Sequence, residues 1–500
     1  MIRSLGVAVP VVAAAIIEFV RTSSVTEAGE AAVAALIAAG VAWLALTLPG
    51  TTVRSTVLGG TLVLAGILTW TSTDRPIVIW AVLGVGGVLY ALWSRPWIGG
   101  LRQLPRLGGA WTGIAYWPLG VAGALLVGHW TVGAQRAAYA GVFALAVLAV
   151  IAFVRSTDRD PSIGIAAAIL LGIAVLLWAG AGSLFDSVRE TPVGSAQGMR
   201  DRFWGGLGFF YHPNSLSGLA VIAAIRVGID RAFVLWQRVA VTGLAGLILL
   251  LSNSRTGLLF AGAAAVLHAF LVLRHRRADL PDYRRWWLAA ATPFLVLLVV
   301  YFSSGGIGYL TRDRLNTGAS RGGSQVAAAT SGRTDTWKQV WNGWEDAPVA
   351  EKLFGDATTS RAVVTRLNDG APPEGPRRQL NTDNAAVGAF RRGGVSGAVA
   401  FVFGVGLLVF HALRRRRSGG WPAAWFTVGA LAVVPTIATE DWMLGGTNGA
   451  LWLLLVAGEA YLLLRPKRPD DEPTPPRPQW TRLSGKGRLV ASGGFAPHPR

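Results

Sequence analysis

Apolar stretches long enough to cross a bilayer follow one another from Ile2 to Leu464, and they are interrupted once, by the hydrophilic stretch from Ser303 to Ala386. At roughly 17 to 25 residues per crossing the pattern predicts about 14 helical spans, centred near residues 11, 40, 62, 85, 121, 145, 173, 222, 245, 264, 295, 404, 431 and 454. The fold class expected is therefore an all-α, polytopic integral membrane protein with one large loop carrying short helices. Met1-Ile2-Arg3 and the apolar run after it read as the first span, because no polar cleavage region follows Glu18. The pattern divides the chain into N-terminal spans (1–204), a central set (205–302), the loop (303–385), C-terminal spans (386–464) and a Pro-rich basic tail (465–500) expected to be disordered in the cytoplasm.

The basic residues give the spans a direction. With the N-terminus inside, the inner connections carry Arg54, then Arg95, Arg102 and Arg106, then Arg155 and Arg159, then Arg226, Arg231 and Arg238, then Arg274 to Arg285, then Arg414 to Arg417. The outer ones carry fewer, such as Arg21, Arg75 and Arg136. This bias predicts N-in and C-in, with the long loop outside the cytoplasmic membrane. Composition agrees: 52% hydrophobic residues and only 15% charged, against about 25% charged in a soluble domain. The net charge of +19 follows this topology and does not point to nucleic acid. Without Cys, disulfides, thiolate nucleophiles and Cys-ligated metals are excluded. Trp43, Trp70, Trp93, Trp111, Trp130, Trp286 and Trp287 stand at the ends of apolar runs as expected of interface anchors.

This topology puts three separate polar stretches on the outer face: Asp186 to Asn214, the turn Ser252 to Gly257, and the long loop. In the first, Tyr211-His212-Pro213-Asn214-Ser215 precedes a span. Asn214 and Ser215 read either as helix caps or as polar groups left at the bilayer edge, and His212 alone indicates little. In the second, Arg255 follows Ser252-Asn253-Ser254 at the membrane boundary. It either snorkels to headgroups or binds an anion with Ser252, Ser254 and the amides of the next helix. In the third, Gly332-Arg333 opens a stretch in which Trp337, Val340, Trp341 and Trp344 recur at helical spacing, predicting an amphipathic surface helix with Ser331 or Thr334 as cap. That Trp stripe serves packing or anchoring more readily than sugar binding. A Pro, Arg and Gly stretch that reads as mobile follows Gly355-Asp356. The loop closes on Asn381-Thr382-Asp383-Asn384, with Arg391 and Arg392 soon after.

The order of a Pro-Asn span start, an outer Ser-x-Ser-Arg-x-Gly turn, a large loop with Gly-Arg-x-x-x-Trp and a closing polar pair before a Gly-rich helix resembles the O-antigen ligase and polymerase superfamily. The likeness covers roughly Gly205 to Leu413. Asn384, nine residues, Gly394, Val395-Ser396 and Gly397 fit the ligase spacing, while the position that carries His in the ligase branch holds Asp383. The resemblance implies an inverting, metal-independent membrane glycosyltransferase of bacterial envelope polysaccharide assembly. It would work without a cofactor at the outer face, on a polyprenyl-diphosphate-linked glycan donor and a glycan or glycolipid acceptor. On that reading Arg255 and Arg333 hold the diphosphate and Asp383 orients and deprotonates the acceptor. Asn384, Asn214, His212, Ser252, Ser254, Arg391 and Arg392 assist binding. The competing expectation is a lipid-linked oligosaccharide flippase or polysaccharide transporter, which would also need intramembrane Arg. It is less favoured because no internal repeat is evident and the polar groups gather at one face.

Overall fold

The computed structural model describes residues 13–16, 20, 25–71, 100–157, 159–179, 213–252, 254–275, 333–355, 363–367, 377–381, 384–415, 420–444 and 448–465. Its long elements are α1 (Val25–Thr47), α2 (Val53–Thr71), α3 (Tyr116–Leu126), α4 (Trp130–Thr157), α5 (Ser162–Ala179), α6 (Pro213–Ile229), α7 (Leu235–Ser252) and α8 (Arg255–His275). After them come α9 (Arg333–Glu345), α10 (Val349–Phe354), a hairpin of β1 (Val363–Leu367) and β2 (Arg377–Asn381), α11 (Ala385–Arg415), α12 (Gly420–Ala432) and α13 (Gly449–Leu464). The expected span centres near residues 11, 85 and 295 lie outside the described residues; each of the others falls on a described helix. Among the described residues, α7 and residues 385–414 of α11 could each cross a membrane by length and composition, and seven shorter apolar helices accompany them.

The bundle is organised around α13. Every residue from Gly449 to Ala460 is buried, and α2, α4, α5, α6 and α12 all pack on this helix. An element apolar all round is the one expected at the centre of a bundle. A carboxylate in that helix needs partners, and Glu459 has them. It accepts hydrogen bonds from the Gly108 and Gly109 amides at 2.8 and 3.0 Å and pairs with His411 Nδ1 at 2.6 Å. A π-helical turn, Trp111–Ala115, follows those glycines and leads into α3. Trp452 Nε1 donates to Gly109 O at 2.8 Å, so α13 grips the start of this segment twice.

Three of the arginines read as marking the two water faces are instead buried. Arg226 is 1% exposed and bonds Ser162, Asp230 and Asp160 at 2.6, 2.8 and 2.9 Å, with the Phe233 and Trp425 rings beside it. Arg238 donates to Gly228 O at 2.8 Å and Arg136 to Gly120 O at 2.8 Å. Their charge is carried by internal partners rather than by water, so they fasten helices instead of simply marking sides.

The stretch read as mobile contributes the hairpin: Val363 stands opposite Asn381 and Leu367 opposite Arg377, antiparallel. The remaining irregularity is in α11, which kinks at Gly394 with φ 61°. A Cβ there would lie 2.5 Å from the carbonyl carbon of Leu353 in α10, and one on Gly355 (φ 95°) would lie 2.0 Å from Arg392 O. Only glycines allow the end of α10 to dock against the bend. The glycine that fits the ligase spacing is thus the point where the loop is fastened to the bundle.

Candidate functional site

Three helices begin at one place. Pro213 is the first residue of α6, a position where its missing amide costs nothing. Asn214 and Ser215, read as possible caps, are therefore inside the helix, and the Asn214 carbonyl accepts from Ser217 Oγ at 2.7 Å. Helix α8 starts at Arg255, and its cap is Ser254, whose Oγ accepts the Gly257 amide at 2.9 Å. Helix α11 is capped by Asn384, whose Oδ1 accepts the Val387 amide at 3.0 Å.

The segment after α12 ties these starts together. A 3-10 turn, Val434–Ala438, leads to Glu440, and a second, Trp442–Leu444, follows it. Glu440 is 4% exposed. One of its oxygens, Oε1, accepts from Asn214 Nδ2 and from Thr256 Oγ1 at 3.3 Å. Two residues earlier, Ala438 O accepts from Asn384 Nδ2 at 3.4 Å. The segment is seated firmly: the Glu440 amide donates to Thr436 O at 2.9 Å, and Trp442, 1% exposed, packs on Phe260 with ring centroids 5.7 Å apart. A Cβ on Gly218 would meet the Trp442 ring at 2.9 Å, and one on Gly257 would meet Ser217 Oγ at 2.4 Å. Both glycines let α6, α8 and Trp442 close on one another.

The electrostatics of such a place favour anions. Each helix start carries the positive end of its dipole, equivalent to about half an elementary charge, and the Glu440 carboxyl stands among them. Asp441 is next to it. Protein packing around its side chain, which keeps some accessible surface, strips hydration and pushes its carboxyl above the usual range, with the Arg392 guanidinium pulling the other way.

The loop helix α9 reaches the same end. Trp341 stacks on Phe390 at 5.7 Å and 16°, and Trp344 lies 5.3 Å from the same ring. Trp341 and Phe390, with Trp337, Lys338, Val340, Ala386 and Val387, line an open, mainly apolar groove of about 560 Å³. The Trp stripe therefore packs α9 onto the first turns of α11. Thr334, offered as a cap, lies inside α9, which begins at Arg333.

The structure brings Asn214, Ser254 and Asn384 to one locus, with Arg255 as the first residue of α8 beside them. Ser252 ends α7 and its hydroxyl donates to Leu249 O at 3.4 Å. Arg391 and Arg392 are half-buried in the second turn of α11, just before the kink. His212 and Asp383 lie outside the described residues. Sequence reasoning missed Glu440 and Asp441. The signal was present: two adjacent acids interrupt an otherwise apolar stretch, Ala423 to Leu444, of a chain with only 27 Asp and Glu.

Among the described residues, two helices long and apolar enough to cross a membrane, shorter apolar helices and a buried polar cluster where several helices start are consistent with a membrane protein. Residues 240–402 match the family model described as O-Antigen ligase, which assigns this segment, from within α7 to within α11, to the O-antigen ligase superfamily. That domain supports a function of the O-antigen ligase type in polysaccharide assembly. No curated protein matches the chain.

Proposed function

We propose that this protein is a glycosyltransferase that moves or polymerises a polyprenyl-diphosphate-linked glycan onto an acceptor hydroxyl, at the outer face of the bacterial cytoplasmic membrane. About 14 spans, with both termini inside, would set the cluster around Glu440 at that face. The observation that carries the reading is the convergence itself: Asn214, Thr256 and Asn384, from three polar stretches far apart in the chain, meet the segment 438–440. Helix starts collected in this way suit an anionic group such as a diphosphate.

In the reaction, Arg255 and Arg333 bind the diphosphate and stabilise the charge that grows on it as it leaves. The acceptor oxygen attacks the anomeric carbon from the opposite face, the bond from that carbon to the diphosphate oxygen breaks, and the configuration inverts. The acceptor proton passes to the Asp383 carboxylate, and polyprenyl diphosphate departs. Asn214, Asn384, Ser252, Ser254, His212, Arg391 and Arg392 shape the binding surface, and no metal or cofactor takes part.

The test is turnover of a radiolabelled lipid-linked glycan by purified protein, with Asp383→Asn in parallel. The reading expects transfer to a larger or water-soluble acceptor, cut by about two to four orders of magnitude in the variant, with donor retention unchanged. Wild-type rate in Asp383→Asn would remove the base from this position.

A further inference from the structure

We propose that Glu440 is a positioning residue for donor binding, acting on Arg255 through the first turn of α8. The proposal rests on the glycosyltransferase reading for the identity of the ligand, a polyprenyl diphosphate, but its geometry stands apart from it. Thr256, the residue after Arg255, donates its hydroxyl to Glu440 Oε1 at 3.3 Å. Ser254, the residue before, caps the same turn at 2.9 Å. Arg255 is thus bracketed by two side-chain hydrogen bonds, one within its own helix and one to a separate segment of chain. The second sets where this turn lies relative to α6, because the same carboxylate oxygen also holds Asn214.

The anchor is rigid enough for this task. Glu440 follows a 3-10 turn that bonds back to it through Thr436 O, and Trp442 is wedged against Gly218 of α6 and Phe260 of α8. Asn384, at the start of α11 and next to Asp383, is tied to the same segment through Ala438 O at 3.4 Å. One acidic segment therefore sets the relative placement of the helix starts that carry the donor-binding arginine and the acceptor base. The bonds from Asn214 and Thr256 need an acceptor oxygen at that position, which an amide oxygen also supplies, since both groups are neutral donors.

That distinction makes the proposal testable. Binding of polyprenyl diphosphate without sugar is measured on detergent-solubilised protein by Trp fluorescence quenching, beside donor KM and kcat in the transfer assay. Glu440→Ala should weaken polyprenyl diphosphate binding and raise donor KM by about ten-fold or more, whereas Glu440→Gln, which keeps the acceptor oxygen, should stay within about three-fold of wild type. Thr256→Val should reproduce part of the loss, and adding it to Glu440→Ala should cost little more. Glu440→Ala that binds polyprenyl diphosphate like wild type, losing only thermal stability, would overturn the proposal in favour of a structural tie. Glu440→Gln as inactive as Ala, with a pH-rate limb lost, would overturn it in favour of direct proton transfer. A wild-type protein that binds polyprenyl diphosphate yet transfers no glycan would defeat the glycosyltransferase reading and leave the positioning role to be judged by binding.

Discussion

Helix α6 carries a buried polar cluster at each end, and the two are built differently. At its C-terminal end Arg226 is matched by two carboxylates, a hydroxyl and two aromatic rings. About 18 Å away along the axis, at its start, Glu440 collects an amide and a hydroxyl at the mouths of two helices while its segment holds a third. The first cluster places opposite charges at hydrogen-bonding distance and serves to hold α5 and α6 together. The second joins the starts of separate helices through one carboxylate oxygen and a backbone carbonyl, with Asp441 and Arg392 close by. Polar burial alone does not distinguish a fastening from a site; the composition of the cluster does.

Removing the fastening should have the largest effect. Arg226→Ala would leave Asp160 and Asp230 buried without their guanidinium, at a cost of about 3 to 5 kcal/mol. This would be read as loss of folded protein on size-exclusion chromatography and a lower Tm. Arg255→Ala and Arg333→Ala should do the reverse, leaving insertion and Tm intact while lowering turnover about 10²- to 10³-fold, with Lys a poor substitute because the planar fork is lost. Full activity in both would end the diphosphate assignment. Glu459→Leu removes the acceptor for two backbone amides and the partner of His411. It should cost about 2 to 3 kcal/mol in thermal unfolding without changing donor KM; a KM effect would extend the site through the bundle.

The smallest expected effect is on pH dependence. Burial raises the Asp441 carboxyl above its unfolded value, so the folded state holds the proton more tightly than the unfolded chain. Stability should therefore fall as pH rises from the ordinary Asp value, about 3.9, up through the raised one, and this slope should vanish in Asp441→Asn. A slope of opposite sign in the wild type, absent in the variant, would show that Arg392 dominates its environment.

Much of this arrangement was legible in the residues. Period and length marked the helices, and Asn214, Ser254 and Asn384 were recognisable as polar groups at or next to helix starts, which the structure brings to one locus. Glu440 was not found because its partners are 226 and 184 residues away, and no local pattern encodes such a meeting. The hairpin escaped for a different reason: β1 and β2 are short and Arg-bearing, joined through Pro372, Pro373 and Pro376, so composition spoke for a coil while pairing is set by register. The buried role of Arg226 was hidden because a charge count along the chain treats every arginine as solvated.

The central claim is that the cluster at the starts of α6, α8 and α11 serves glycosyl transfer. Its most direct test is to reconstitute the protein in vesicles with a radiolabelled polyprenyl-diphosphate glycan and follow the label. The account predicts that label leaves the lipid for an acceptor, with inverted anomeric configuration, and that Arg255→Ala stops it. Label that crosses between leaflets still attached to its lipid, with no product formed, would contradict the account and make the protein a carrier of the same substrate.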